Sequence, residues 1–270
     1  MLKLLAIDMD GTCLDGRSRI TAKTMEALEA AHHAGIQIVP TTGRALTCLP
    51  HQLAARRELY RYAISSNGAR VTDLDKGRTL FQAEIPQAMA LGLLEDLQNI
   101  SLGRTAHVAH QYLIQGRLLH AMGRTIYGQD AKQAPRVSSI SAAIAKQNAD
   151  VEELQFFFFG RGSRAATQAV LQRYPELDAA YSGLYVEIFH QSASKGTALR
   201  ALMSQLGLDP EDVGCIGDGE NDLSMFAQAG HRFAMGNAVD ALKAKADVVL
   251  PSNRQDGVAE AILRYILGEF

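Results

Sequence analysis

Cysteine is scarce in this sequence, and its distribution is informative. The three cysteines, Cys13, Cys48 and Cys215, are widely spaced and form no Cys-X-X-Cys pair. An odd number of distant cysteines fits reduced thiols better than a disulfide framework. The sequence therefore predicts a cytoplasmic protein.

Long apolar runs and an excess of one charge are also missing. No stretch approaches the roughly 20 apolar residues of a membrane span, and the first apolar run stops at Asp8, too early for a signal peptide. The formal net charge is -2 and the isoelectric point about 6.4. These values argue against nucleic acid or an anionic membrane as a partner.

The remaining composition is that of an ordinary globular protein. The chain has 270 residues, of which 47% are apolar and 21% are charged. A chain of this length can bury one large core or two modest ones. No internal repeat or low-complexity tract suggests any other class of protein.

The N-terminal part alternates apolar runs with helical patterns. The predicted elements are a strand over 2–7, a helix over 21–33, a strand over 36–39 that ends at Pro40, a helix over 46–57, a strand over 63–65, and a turn at Asn67-Gly68. Strands that alternate with helices predict a parallel sheet.

The pattern changes near Glu84 and returns after Ser194. In between, we predict a helix over 86–100, a strand buried on both faces at the four phenylalanines 156–159, and a single strand over "AYSGLYVEIFH". A helix over 194–206 and a strand over 212–216 then restore the first pattern. The chain is predicted to have a discontinuous α/β core over 1–83 and 190–270, with a second α/β domain inserted over 84–189.

Two aspartates follow the first predicted strand, in the segment "DMDGT". Side chains at i and i+2 of a strand point the same way, so Asp8 and Asp10 start on one side, at the strand end where open parallel sheets bind ligands. Two close carboxylates ionise readily only beside a cation, and Mg²⁺ is the natural choice for oxygen ligands. A solvated Asx turn would explain the same pattern.

Two more segments beside predicted strands offer groups that suit a phosphate. In "PTTGR", the segment from Thr41 to Arg44 presents a small hydroxyl and the backbone N–H groups beside a glycine, although an N-cap for the next helix would use the same residues. In "SASKG", Lys195 near a helix start offers a point charge for a phosphoryl oxygen. Taken alone, such a lysine is more often a solvated surface residue.

A second predicted strand also ends in acids, in the segment "GDGEND". It carries Asp218, Glu220 and Asp222, and Asn221 adds an amide. Placing two acidic strand ends close together would be costly without a metal or a phosphate between them. The pattern therefore favours a binding site over a purely structural turn.

The order of these motifs resembles that of the haloacid dehalogenase superfamily of phosphatases, specifically its Cof-type sugar-phosphatase branch. The matching segments, from residue 8 to residue 262, are "DMDGT", "TTGR", "SSNGA", "SKGTAL", "GDGENDLSMF", "AMGNA" and "NRQDGVAEAI". The resemblance implies an α/β fold with a Rossmann-like, doubly wound parallel-sheet core. It also implies an inserted α/β cap domain, at the place where residues 84–189 fall.

The resemblance further implies a Mg²⁺-dependent phosphatase that hydrolyses small phosphorylated metabolites, such as sugar phosphates, through an aspartyl-phosphate. Asp8 is then the nucleophile and Asp10 the general acid–base. The expected metal ligands are the Asp8 carboxylate, the Asp10 backbone carbonyl and Asp218. Behind them, Asp222 is expected to orient bound water or Lys195.

The same resemblance implies which groups hold the phosphoryl oxygens and what selects the substrate. The expected phosphate-binding groups are the Met9 backbone amide, Thr42, the Gly43 amide, Lys195 and Asn221. The cap is expected to close over the site and to select the leaving group. We expect a monomer or a small homo-oligomer.

Three other functions fit parts of the pattern. A phosphotransferase or phosphomutase would use the same aspartyl-phosphate. A regulator that binds a phosphorylated ligand without turnover would not need Asp10 as an acid–base. A metal-free dehalogenase would not need the acidic "GDGEND" segment. Nothing in the sequence identifies the leaving group.

Overall fold

The computed structural model describes residues 2–127, 129–130 and 134–268. This part of the chain divides into two compact units. The first comprises Met1–Arg44, Leu49–Gln82 and Ser194–Phe270, and the second Ala45–Cys48 and Ala83–Ala193. It remains a prediction that residues 1–83 and 190–270 act as the catalytic core and residues 84–189 as a cap. No helix within the described residues is long and apolar enough to cross a membrane.

The N-terminal part of the first unit alternates strands with helices. Its elements are β1 (Leu4–Asp8), α1 (Ala22–His33), β2 (Gln37–Thr41), α2 (His51–Ala54), β3 (Tyr62–Ser65), β4 (Arg70–Asp73) and β5 (Arg78–Gln82). Thr21 caps α1, because its side chain accepts a hydrogen bond from the Thr24 N–H. Such a cap satisfies one of the free N–H groups in the first turn of a helix.

The second unit combines a mostly antiparallel sheet with helices. Its elements are α3 (Gln87–Asp96), β6 (Leu102–Val108), β7 (Gln111–Gln115), α4 (Arg117–Tyr127), β8 (Arg136–Val137), α5 (Ile140–Gln147), β9 (Val151–Phe158), α6 (Ser163–Leu171), β10 (Leu177–Tyr181) and β11 (Tyr185–His190). Among the residues that the structure describes, the strand order is β10-β11-β9-β6-β7-β8, and only β7 and β8 pair in parallel. Apolar side chains of α3 and α5 pack with those of the sheet into one core.

The C-terminal part completes the first unit. Its elements are α7 (Lys195–Leu206), β12 (Val213–Gly217), α8 (Leu223–Phe226), β13 (His231–Ala234), α9 (Asp240–Lys243), β14 (Val248–Val249) and α10 (Gly257–Glu260), followed by a helical turn at Ala261–Ile266. Ser194 caps α7 by accepting from the Thr197 N–H at 3.0 Å. Lys195 is therefore the first residue of this helix.

The sheet of the first unit places β1 between β2 and β12. Within the described residues the order is β14-β13-β12-β1-β2-β3-β4-β5, with parallel pairing from β14 to β3. After β1, the chain forms β2 and β3 on one side of that strand. The later strands, β12 to β14, extend the sheet on its other side, so the direction of winding reverses between β1 and β12. Ligands bind at the carboxyl ends of strands beside such a reversal. Asp8 and Gly217 lie at these two ends.

Strand β2 differs from its prediction, because it continues through Pro40 to Thr41. Thr42 N–H donates to the Ile64 carbonyl of β3. N–H groups two residues apart on a strand point to the same side, so an N–H at residue 40 would also face β3. The register between β2 and β3 consists of the Thr41–Ile64 pair. The proline therefore lies where the ladder to β3 has not begun, and the strand tolerates it.

The predicted helix over 46–57 is also wrong. The chain forms separate short turns there, at Leu46–Cys48, His51–Ala54 and Arg57–Leu59. Pro50 lies between the first two and has no N–H with which to continue a helix. It precedes α2 with a ψ of 125°, which is not helical.

Three predictions in the second unit need correction. Helix α3 begins after Pro86 and ends at Asp96, before the predicted end at residue 100. The phenylalanine run is not buried throughout, because β9 ends at Phe158 and Phe159 is 52% exposed. The segment "AYSGLYVEIFH" spans two antiparallel strands, joined by a turn in which Ser182 N–H donates to the Tyr185 carbonyl. Its Ser-Gly pair was the signal for that turn.

Candidate active site

Lys195 connects the two acid-bearing strand ends. Its Nζ donates to Asp8 Oδ1 at 2.6 Å and to Asp222 Oδ1 at 2.7 Å, and its side chain is 0% exposed. Burial acts to lower the pKa of Lys195, but the carboxylates of Asp8 and Asp222 outweigh it and raise that pKa above its usual range. Lys195 is thus a buried cation and not a solvated surface lysine.

Asp222 holds both Lys195 and the turn after β12. Its Oδ2 accepts hydrogen bonds from the backbone N–H groups of Asp218 and Gly219, at 2.9 and 3.0 Å. A Cβ at Gly217 would lie 2.5 Å from this oxygen, so the carboxylate can fold back onto the backbone only because residue 217 is glycine. Both Asp222 oxygens are therefore used to fix neighbouring groups.

Asp218 lies against the turn that follows β1. Its Oδ1 accepts from the Thr12 hydroxyl at 3.0 Å. Gly11 has a φ of +85°, and a Cβ there would lie 2.3 Å from Asp218 Oδ2, so both the backbone conformation and the close approach require glycine. Burial raises the pKa of Asp218, while the Thr12 hydrogen bond opposes this and the nearby Asp222 adds to it.

The carboxylates form one compact cluster. Oxygens of Asp8, Asp218 and Asp222 lie within 4.8 Å of one another. Burial raises the pKa of Asp8 well above its usual range, although Lys195 partly opposes this. Among the described residues, buried Asp8 Oδ2 has no hydrogen-bond partner. Three acids beside one lysine, with a buried oxygen that lacks a donor, fit a hard divalent cation.

Asp10 has a different partner from Asp8. The chain leaves the strand conformation after Asp8, and the Asp10 side chain is 53% exposed. Arg44 holds it with two contacts, from Nε to Oδ2 at 2.7 Å and from Nη2 to Oδ1 at 2.6 Å. This bidentate geometry fixes the plane of the carboxylate. Each Asp10 oxygen can still accept a further hydrogen bond, because a carboxylate oxygen has two acceptor sites.

Three of the predicted phosphate-binding residues, Thr42, Gly43 and Asn221, contact Asn67, whereas Lys195 begins α7 and Met9 follows β1. Thr42 is buried, and its Oγ1 accepts from the Arg44 N–H at 3.1 Å, which leaves the hydroxyl hydrogen able to donate. Asn221 Nδ2 donates to Asn67 Oδ1 at 3.1 Å. A Cβ at Gly43 would lie 3.0 Å from that same Asn67 oxygen. The turn at Asn67 thus links the Gly43 segment to Asn221.

Comparison with known proteins identifies the family. A family model for haloacid dehalogenase-like hydrolases matches residues 5–262. The chain belongs to this family. Among solved structures, a haloacid dehalogenase-like hydrolase from Bacteroides thetaiotaomicron shares the fold with a TM-score of 0.87, at 24% identity over 98% of this chain and 100% of that one. The predicted α/β fold class is confirmed.

Two curated relatives of this haloacid dehalogenase-like hydrolase are named phosphatases. The 5-amino-6-(5-phospho-D-ribitylamino)uracil phosphatase YwtE of Bacillus subtilis is 30% identical over 292 residues, covering 100% of both chains. The pyridoxal phosphate phosphatase YbhA of Escherichia coli is 27% identical, covering 98% of this chain and 99% of the relative. The predictions of the family and of a phosphatase enzyme are confirmed.

Several side chains of this hydrolase that contact the cluster or its neighbours were not predicted from the sequence. They are Thr12, Arg44, Asn67 and Asn237. Each lies in or beside a segment that resembles the family, but nothing in the local pattern indicates its partner. Arg44 is 34 residues from Asp10, and Thr12 is 206 residues from Asp218. The available signal for these residues was that they lie in or beside family-like motifs, but membership of a motif does not assign a role to a residue.

Proposed function

We propose that this chain is a Mg²⁺-dependent phosphatase that hydrolyses small phosphorylated metabolites through an aspartyl-phosphate on Asp8. The observation that carries the proposal is the buried Lys195, which joins Asp8 to Asp222 while Asp218 completes the carboxylate cluster. A lysine that is held within reach of a nucleophilic carboxylate can bind a phosphoryl oxygen next to it. Asp8 Oδ2, which has no hydrogen-bond partner in the part of the chain that the structure describes, supports the same assignment.

The proposed reaction has two steps. An Asp8 oxygen attacks phosphorus in line and forms an acyl-phosphate bond, while the bond from phosphorus to the leaving oxygen breaks and Asp10 gives that oxygen its proton. Water then attacks the phosphorus, Asp10 takes a proton from it, and the bond to Asp8 breaks. The products are an alcohol and inorganic phosphate, and both aspartates return to their starting states.

Asp8, Asp218 and the Asp10 backbone carbonyl are the proposed Mg²⁺ ligands. When bound, Mg²⁺ would offset the repulsion between the Asp8 carboxylate and the phosphate and stabilise charge on the transferring group. Asp222 supports the site from behind by holding Lys195 through Oδ1 and the backbone N–H groups of Asp218 and Gly219 through Oδ2.

The remaining proposed roles belong to groups that hold the phosphoryl oxygens. Several donors arranged around one phosphoryl group position it for in-line attack and stabilise its charge as it transfers. The proposed donors are the Met9 amide, the Thr42 hydroxyl, the Gly43 amide, Lys195 and the Asn221 amide.

The metal assignment predicts that EDTA abolishes release of inorganic phosphate from a panel of phosphorylated metabolites. Excess Mg²⁺ added to the same sample should restore it, because the carboxylates again have a cation beside them. Full turnover in EDTA would contradict the metal assignment, whereas halide release from a haloacid in EDTA would indicate the metal-free dehalogenase. Formation of an isomerised sugar phosphate without free phosphate would instead indicate a mutase. Binding of a phosphorylated metabolite without any product would indicate a regulator.

The role of Asp10 predicts that Asp10→Asn lowers turnover of alkyl phosphates by roughly 10²-fold or more, since it removes a positioned acid–base. Hydrolysis of p-nitrophenyl phosphate should fall less in its first step, because p-nitrophenolate leaves without a proton. The single-turnover rates of both substrates are measured on the same variant, so that each substrate serves as the control for the other. An equal loss on both would count against Asp10 as the acid.

A further inference from the structure

Asn237, in the loop after β13, places its side-chain amide against Asp218. Its Nδ2 donates to the Gly11 carbonyl at 2.8 Å and to Asp218 Oδ2 at 3.2 Å, and its Oδ1 accepts from the Asn253 N–H at 2.9 Å. A backbone N–H can only donate and a carbonyl can only accept, so this network fixes which end of the amide faces Asp218. The amide is held in one orientation although the residue is exposed.

Asp218 is consequently held from both sides. Thr12 donates to Oδ1 at 3.0 Å and Asn237 donates to Oδ2, while the Val239 N–H donates to the Asp218 backbone carbonyl at 3.0 Å. Each carboxylate oxygen can accept more than one bond, so both keep capacity for a further ligand. The two donors restrict rotation of the carboxylate without consuming its ability to bind a cation.

We propose that Asn237 is a positioning residue for the divalent cation, and that it acts by orienting the Asp218 carboxylate. This inference rests on the proposed function, in which Asp218 is a metal ligand. Partners that orient metal ligands commonly change metal affinity by roughly 10- to 100-fold when they are removed. Without the Asn237 donor, Asp218 would have more conformations to lose on binding the cation.

A purely structural role for Asn237 would be to hold the loop after β13 against the turn after β1. Asn253 provides the comparison, because its Nδ2 donates to the Leu14 carbonyl at 2.7 Å. It therefore ties a C-terminal segment to the same turn through a similar bond, and no hydrogen bond joins its side chain to Asp218 among the described residues. Asn253→Ala is a matched control for Asn237→Ala.

The test measures binding of Mn²⁺, a paramagnetic substitute for Mg²⁺, to the full chain without substrate, from the electron paramagnetic resonance signal of the free ion. We expect Asn237→Ala to weaken binding by roughly 10- to 100-fold and Asn253→Ala to leave it close to that of the unmodified protein. Thermal unfolding without metal verifies that both variants are folded. If Asn237→Ala does not fold, Asn237→Ser replaces it, since its shorter side chain also removes the amide donor.

Kinetics provide the second measurement. The Mg²⁺ concentration for half-maximal phosphate release should rise with Asn237→Ala by the same factor as the Mn²⁺ dissociation constant, while kcat at saturating Mg²⁺ stays close to its original value. Unchanged affinity, or equal weakening in both variants, would overturn the inference. Absence of Mn²⁺ binding to the unmodified protein would overturn the proposed metal site and this inference with it.

Discussion

Lys195→Met is expected to lower the free energy of unfolding by about 3–5 kcal/mol, the usual cost of breaking a buried ion pair by removing one partner. The side chain of Lys195 is 0% exposed and lies between the carboxylates of Asp8 and Asp222. Methionine has a similar length but no charge, so the two acids would face each other without a cation. Urea unfolding without Mg²⁺, followed by circular dichroism, measures the change, and phosphatase activity should be lost as well.

Two further variants separate charge from packing in that experiment. Lys3→Met removes an exposed ion pair with Asp212, in which Lys3 is 61% exposed, and should cost about 0–1 kcal/mol. The double variant Lys195→Met/Asp222→Asn should recover part of the lost stability, because it also removes a buried charge that has lost its partner, without recovering activity. A loss no larger than that of Lys3→Met would contradict the buried-cation interpretation of Lys195.

Asp8→Asn is expected to reduce turnover by roughly 10⁴-fold or more, the scale that follows removal of a covalent nucleophile. An amide oxygen is a poor nucleophile and cannot form an acyl phosphate, whereas the side chain keeps its size and its place at the end of β1. Acid quenching during turnover of a ³²P-labelled substrate should trap label on the unmodified protein and none on the variant. Steady-state phosphate release gives the rate.

Asp15→Asn is the control for that substitution. It makes the same chemical change seven residues along, at a carboxylate that accepts from the Arg17 and Arg19 N–H groups in an exposed turn. We expect it to leave turnover almost unchanged. Trapped label or near-normal phosphate release in Asp8→Asn would show that another residue is the nucleophile.

Local sequence patterns predicted the elements best where one face or one run is uniformly apolar. The strand before Asp8 and the helix that begins at Lys195 were predicted within a residue or two of their bounds, because burial and capping are local properties. Pro40 was misassigned for a different reason, because whether a strand accepts a proline depends on where its neighbouring strands begin. The reversal in "AYSGLYVEIFH" had a local signal, its Ser-Gly pair.

The sequence by itself determined that acids follow two apolar strands and that a hydroxyl, a glycine and a lysine lie beside other elements. Only the tertiary structure decided which of these side chains meet. Lys195 reaches Asp8 across 187 residues, because the fold brings the start of α7 beside the end of β1. Likewise Arg44 pairs with Asp10, and Asn237 with Asp218. Such pairings follow from sheet order and packing, which no local pattern of residues encodes.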